Sequence, residues 1–328
     1  MRAVVMSAPG TIELTTLPDP TPEPGWVVVE VAAVGLCGTD LHILSGEHGA
    51  LPVVPGHEVT GTVVAVGTDV TSVRVGDRVA VEPNLPCRAC RECRRGRTNL
   101  CPDLGALGVT TTGGAAELMA APAGSCVVLP DHVDLRAATL IEPLSCAVRG
   151  YDVLQAQLGA RVLVYGAGTM GLMMLALAHR TGAASVDVVD LNTDKLKAAE
   201  VVGVSRTGTA AADLGDAWDV VVDATGNAHA IQDGLGRVAR GGTFLQFGVA
   251  SPEARAHISP YDVYRREITI TGSMAVLNSF ERAADLFAAG VLDPGLFVTR
   301  QAPLAEYDDA LQAFARGEGL KTQVLPAV

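Results

Sequence analysis

The chain lacks an excess of positive charge. Its 328 residues carry 24 Lys and Arg against 36 Asp and Glu, a formal net charge of −12. That balance excludes general binding to nucleic acid or to anionic membranes. No uninterrupted apolar run reaches the roughly 18 residues of a membrane-spanning helix. MRAVVMSAPG at the N-terminus has no apolar leader core and reads as a short strand and turn, so no secretory signal is expected. A disulfide framework is also missing. There are seven cysteines, an odd number with metal-type spacing, which places the expectation in a reducing cytoplasm. Internal repeats and low-complexity tracts are absent. What is present is enough chain for two domains and 48% hydrophobic residues to fill their cores.

Four of the cysteines, Cys87, Cys90, Cys93 and Cys101, stand in CRACRECRRGRTNLC, a C-x2-C-x2-C-x7-C run. Four thiolates this close can enclose one Zn²⁺ and leave no position for water or substrate, so the site is expected to be structural. Arg88, Arg91, Arg94, Arg95 and Arg97 surround it. A phosphate-binding patch is one reading. Solvated arginines offsetting the negative tetrathiolate is the preferred one.

Around this loop, residues 1 to about 80 are Val-rich with frequent Gly and Pro. VVVEVAAVG, VTGTVVAVG and VRVGDRVAV read as strands, and AAELMAAPAGSCVVLP resumes the pattern. From about residue 160 strands and helices alternate: RVLVYGAG, then the apolar helix TMGLMMLALAHRTGA, then SVDVVDLN and TDKLKAAEVVG. DVVVDATG, GTFLQFGV and ITITGS continue as strands. The alternation implies a parallel, doubly wound sheet. Helices are expected at SFERAADLFAAG and EYDDALQAFARG in the tail.

Gly166, Gly168 and Gly171 form G-x-G-x-x-G between RVLVY and the helix. The first glycine permits a tight turn, the second lets a pyrophosphate approach the backbone, and the third allows close helix–strand packing. The free N–H groups of the helix start favour the anion. Asp190 ends the next strand, 19 residues past Gly171. An acid there accepts from the adenosine ribose and repels a 2′-phosphate, which favours NAD, with NADP as the alternative. Asp187 on the same strand reads as solvated.

A second metal constellation is upstream. Cys37 in VGLCGTDLH, His57 and Glu58 in PGHEVTG, and Glu142 in LIEPLSC supply thiolate, imidazole and carboxylate. Those types suit a zinc that keeps one position open. Singly, each has a plainer reading as a core cysteine, a satisfied histidine or a helix-start acid.

The set of motifs resembles the zinc-dependent medium-chain alcohol dehydrogenases over essentially the full length. The signature is G56-H57-E58-x-x-G61-x-V63-V64-x-V66-G67 together with the four-cysteine loop. C37-G38-T39-D40 and E142-P143-L144 are most similar to the polyol and sorbitol dehydrogenase branch. The resemblance implies an α/β architecture. A β-rich GroES-like catalytic zinc domain spans 1–144 and 275–328, with a structural zinc lobe at 87–101, and a Rossmann doubly wound cofactor domain spans 145–274. It implies two zincs per chain: Cys37, His57 and Glu142 at the catalytic ion, with Glu58 beside it, and the four cysteines at the other. Asp40 would hold the His57 ring, and Thr39 and His42 would relay the substrate proton. Lys195 would lie near the adenosine ribose and Lys321, in GLKTQV, at the pyrophosphate. The implied reaction is reversible, NAD-dependent oxidation of a secondary alcohol to a ketone by a homotetramer or homodimer. Ala275, Val276 and Ile43 stand where branch members carry polar groups, so a more apolar pocket is expected. The rivals are an NADP-dependent ketone or aldehyde reductase on the same scaffold, a non-catalytic NAD(H)-binding protein, and a zinc-ribbon nucleic-acid binder. The last explains only residues 87–101 and conflicts with the net charge.

Overall fold

In the computed structural model, which describes residues 1–327, the chain divides into two units. One is Met1–Ser145 with the segment from Val276 onward; the other is Cys146–Ala275.

Valine-rich strands build the first unit. Trp26–Gly35 is the central strand of a seven-stranded sheet, antiparallel to Glu58–Val66, Leu118–Pro122 and Lys321–Leu325. Glu58–Val66 hands on to Arg78–Val81 and Cys126–Val128, and Val298–Pro303 runs parallel to Lys321–Leu325. Val29, Val31, Val34, Val63 and Val79 are buried in one core, where β-branched side chains fit the pleated surface. Register decides the site. Gly35 lies opposite Glu58 on one side and Gln323 on the other, and Leu36 N–H donates to Thr322 O at 2.9 Å. The last strand therefore sets Lys321 beside residues nearly the whole chain away.

Two strand expectations shorten. VRVGDRVAV forms only Arg78–Val81. Before it, Arg74 N–H donates to Asp77 Oδ2 at 2.9 Å and Gly76 takes φ 93°, which closes a turn. AAELMAAPAGSCVVLP splits into Leu118–Pro122 and Cys126–Val128 around a 3₁₀ turn. The tail helices form as Phe280–Ala288 and Tyr307–Ala315.

The second unit is a six-stranded, wholly parallel sheet. Its order is Arg206–Gly208, Ser185–Val189, Arg161–Tyr165, Trp218–Asp223, Val238–Gln246, Thr269–Gly272. Numbered along the chain this is 3-2-1-4-5-6, the dinucleotide-binding order, with its reversal beside the first strand. Val162, Leu163, Val164, Val186 and Val188 are buried, as strands covered on both faces require. Helices Thr169–Arg180 and Thr193–Val202 follow the first two strands. Asp187 departs from its solvated reading. It is fully buried, accepts from Arg206 Nε at 3.1 Å and Nη2 at 2.6 Å, and takes the Trp218 indole N–H at 2.7 Å. Among the described residues no helix is long and apolar enough to cross a membrane.

Candidate active site

Cys37 caps the helix Gly38–Ser45, and Asp40 closes that cap from inside: Cys37 N–H donates to Asp40 Oδ2 at 2.9 Å. The other oxygen, Oδ1, faces His57 Nδ1 at 4.0 Å. One buried carboxylate thus addresses both Cys37 and His57. The ligand atoms of Cys37, His57 and Glu58 lie within 4.8 Å of one another. Glu142, in the first turn of Ile141–Leu154, stands outside that group, although its charge is felt at both His57 and Lys321. Glu58 is therefore the carboxylate the fold draws in tightly, where the sequence reading placed Glu142. Thr39 Oγ1 accepts from the Cys37 thiol at 3.7 Å. His42 lies on the same helix, three residues on, with Nδ1 2.9 Å from Glu47 Oε2.

Burial pushes the His57 imidazole toward the neutral form. The charges of Cys37, Asp40 and Glu142 outweigh it and hold the ring's pKa well above the ordinary histidine range. A cation is what this donor set wants, and a thiolate, an imidazole and carboxylates are zinc ligands. The unpartnered Nδ1 of His57 and Oδ1 of Asp40 fit a ring turned to offer its other nitrogen to a metal.

The resemblance sets Lys321 at a pyrophosphate. Here its ammonium meets Glu58 Oε1 at 2.6 Å, Glu58 Oε2 at 2.9 Å and Leu36 O at 3.0 Å. An ammonium has three donors, and all three are taken, in a setting where Lys321 and Glu58 are 3% and 1% exposed. Gly35 makes room for this pair. A Cβ there would run into the Glu58 carboxylate.

The four cysteines of the loop also converge, their sulfurs within 4.8 Å of one another. Backbone N–H groups point at them: Cys90 N to Cys87 Sγ at 3.3 Å, Cys93 N to Cys90 Sγ at 3.4 Å and Cys87 N to Cys101 Sγ at 3.4 Å. The backbone N–H groups of Ala89 and Cys90 draw the Cys87 thiol down to about 7, while burial and then hydrogen bonding with Cys90 and Cys101 push the Cys93 thiol up to about 12. The four cannot all ionise together without a cation. The five arginines of the loop are exposed, as counter-charges in solvent would be.

In the second unit the glycine motif forms the expected turn. Gly166 has φ 98°, and a Cβ on Gly171 would strike Gly166 O. A Cβ on Gly168 would meet no protein atom, so the open space is on the side where a pyrophosphate would approach. No side chain caps Thr169–Arg180, which leaves its N-terminal N–H groups to an anion. Asp190 Oδ2 accepts from Ala167 N–H at 2.7 Å and Oδ1 from Asn192 N–H at 2.8 Å, tying the ribose-side acid to the glycine turn. Lys195 sits half-buried in the first turn of Thr193–Val202. Asp223 went unread in the sequence. It is buried at the end of its strand and accepts from Gly226 N–H at 2.9 Å and Gln246 Nε2 at 2.8 Å. It ends an apolar run, and no local spacing marks it. Ile43, expected to line the pocket, is fully buried in the core.

Comparison with known proteins agrees with this geometry. The family described as "Alcohol dehydrogenase GroES-like domain" matches residues 23–131, and "Zinc-binding dehydrogenase" matches 169–289. The D-altritol 5-dehydrogenase of Agrobacterium fabrum is 37% identical, covering 93% of this chain and 94% of its own. A zinc-binding dehydrogenase from Sinorhizobium meliloti, solved with NADP, superimposes with a TM-score of 0.96 at 32% identity over 99% of both chains. An alcohol dehydrogenase from E. coli, complexed with NADH, does so with a TM-score of 0.93 at 28% identity over 99% of both.

Proposed function

Because the chain belongs to the zinc-dependent medium-chain alcohol dehydrogenase family, in its polyol dehydrogenase branch, we infer that it is an NAD(P)-dependent dehydrogenase that interconverts a secondary alcohol, of the polyol class, and its ketone. The observation that carries this is the Cys37, His57 and Glu58 cluster, braced by one carboxylate. Zinc held there supplies Lewis-acid chemistry to an alcohol oxygen. We assign Cys37, His57 and Glu142 as its ligands. Glu58, though nearer, is neutralised by Lys321 and remains beside the ion. Thr39 takes the substrate proton and His42 passes it to solvent. The two lie at i and i+3, on one helix face. Glu47 at Nδ1 of His42 leaves the ring's other nitrogen to accept the proton. Cys87, Cys90, Cys93 and Cys101 hold a closed, structural zinc. The first unit is the catalytic domain, and the second binds the dinucleotide through Gly166, Gly168, Gly171, Asp190 and Lys195. The lack of any disulfide among the described cysteines supports a reducing compartment, the cytoplasm.

Metal analysis with cofactor titration tests this. About two zincs per chain, with NAD(H) or NADP(H) binding and turnover of a secondary alcohol, are expected. One zinc and no turnover would leave only the structural site. The S. meliloti relative holds NADP, so the NADP-dependent reductase is the second reading. With the carboxylate of Asp190 in place, kcat/KM should favour NAD. Asp190→Ala should move the NAD-to-NADP ratio by about tenfold or more toward NADP, since a charge is removed from the site of the 2′-phosphate. A parent enzyme that prefers NADP sinks the NAD assignment.

Assembly follows from an edge. Thr269–Gly272 ends the parallel sheet with Ile270 43% exposed and Met274 49% exposed just after it. An exposed apolar edge must be paired or covered, and we propose that it pairs with the same strand of a second copy, in a homodimer or homotetramer. Light scattering at micromolar concentration should give a multiple of the chain mass, and a monomer refutes the pairing.

A further inference from the structure

Three buried polar atoms near the Cys37 cluster have no hydrogen-bond partner: Asp40 Oδ1, His57 Nδ1 and the Tyr307 hydroxyl. All three residues are buried, Tyr307 to 1% exposure. The first two face each other at 4.0 Å. Tyr307 opens Tyr307–Ala315, and that helix packs against Gly38–Ser45, which carries Asp40. Burial raises the phenol well above the ordinary tyrosine range, and the charges of Asp40 and Cys37 raise it further, so the hydroxyl is close enough to feel both and remains a donor.

The apolar face of this helix is Tyr307, Ala310, Leu311 and Phe314, all in the first unit's core cluster or packed on it. Phenylalanine would fill the Tyr307 position without burying a hydroxyl. A buried hydroxyl without a partner is costly and calls for an explanation. Asp40 supplies one. Its Oδ2 is occupied by the Cys37 N–H, and its Oδ1 is an acceptor without a donor. A carboxylate oxygen can accept from both an imidazole N–H and a phenol O–H.

We propose that Tyr307 is a positioning residue of the metal centre, donating to Asp40 Oδ1 through one buried water. Asp40, so held, keeps the proton of His57 on Nδ1 and turns Nε2 to the ion. This rests on reading the Cys37 and His57 cluster as a zinc site. The sequence held no signal for it, because a tyrosine on an apolar helix face reads as core.

The test is zinc release from the loaded, full-length protein to a chromogenic chelator, beside thermal unfolding of the metal-stripped protein. Cys37→Ser identifies which phase of release belongs to this site. Tyr307→Phe should release that zinc about 10- to 100-fold faster, the usual loss when an outer partner of a metal-ligating histidine is removed. Its metal-free unfolding should match the parent. Asp40→Asn should accelerate release as well, and the double variant should go little further, because both act on one ligand. Parental release from Tyr307→Phe, with the Cys37→Ser phase still missing, overturns the proposal and leaves the zinc reading intact. Unaltered release in Cys37→Ser removes the zinc reading and the proposal together. Additive effects in the double variant, or a Tyr307→Phe chain that does not fold, make Tyr307 a packing residue and overturn the proposal.

Discussion

Cys37→Ser is expected to lower kcat/KM by about a thousandfold or more, because Lewis-acid stabilisation contributes several kcal/mol to such a reaction and each 1.4 kcal/mol is tenfold. Serine replaces a thiolate with a hydroxyl that stays neutral at pH 7, so one zinc per chain should be lost while the tetracysteine zinc stays. The fold should survive. Cys37 is the N-cap of Gly38–Ser45, and serine is among the preferred residues at that position. Cys93→Ser should show the reverse order, with loss of the other zinc and of thermal stability first, since a closed zinc site contributes folding energy. Acid should mimic Cys37→Ser in the parent enzyme. The ligating form of His57 is neutral, and its neighbours hold the metal-free ring above the ordinary histidine range. Protons therefore compete with zinc below that raised pKa, and zinc affinity should fall as pH falls through it. Turnover within tenfold of the parent in Cys37→Ser would dismiss the catalytic site as drawn.

Lys321→Met should be the most destabilising single change outside the metal ligands. It leaves the Glu58 carboxylate buried without its counter-charge, in contact range of Cys37. Breaking one side of a buried pair costs about 3–5 kcal/mol. For a domain of this size that is a fall in Tm of roughly 6–20 °C. Glu58→Gln with Lys321→Met should recover much of the loss, because the stranded charge is then gone. Calorimetry on the two variants, both zinc-loaded, decides it. If Lys321→Met unfolds within a degree or two of the parent, the pair has no such weight.

Much of the site was legible in the sequence because its chemistry is local. C-x2-C-x2-C-x7-C places four sulfurs within one loop, and in G-x-G-x-x-G the positive φ of Gly166 and the close approach of Gly171 to Gly166 O belong to one turn. Cys37, Thr39, Asp40 and His42 lie within six residues, so their nearness to one another needed no tertiary contact. The alternation of strand and helix after residue 160 likewise announced the parallel sheet.

Where the sequence reading went astray, the deciding contact spans the chain. The resemblance sets Lys321 at a pyrophosphate, and only the pairing of the last strand with Trp26–Gly35 shows it carried 263 residues back to Glu58. Asp187 reads as solvated until Arg206 and Trp218 close on it from neighbouring strands. The sequence by itself determined the ligand types, the glycine turn and the fold class, since these rest on residue chemistry and on periods of a few residues. Only the tertiary structure decided which charges are buried together and which carboxylate is drawn closest to Cys37 and His57. Strand register sets those distances, and pairing between distant strands is not written in any local run of residues.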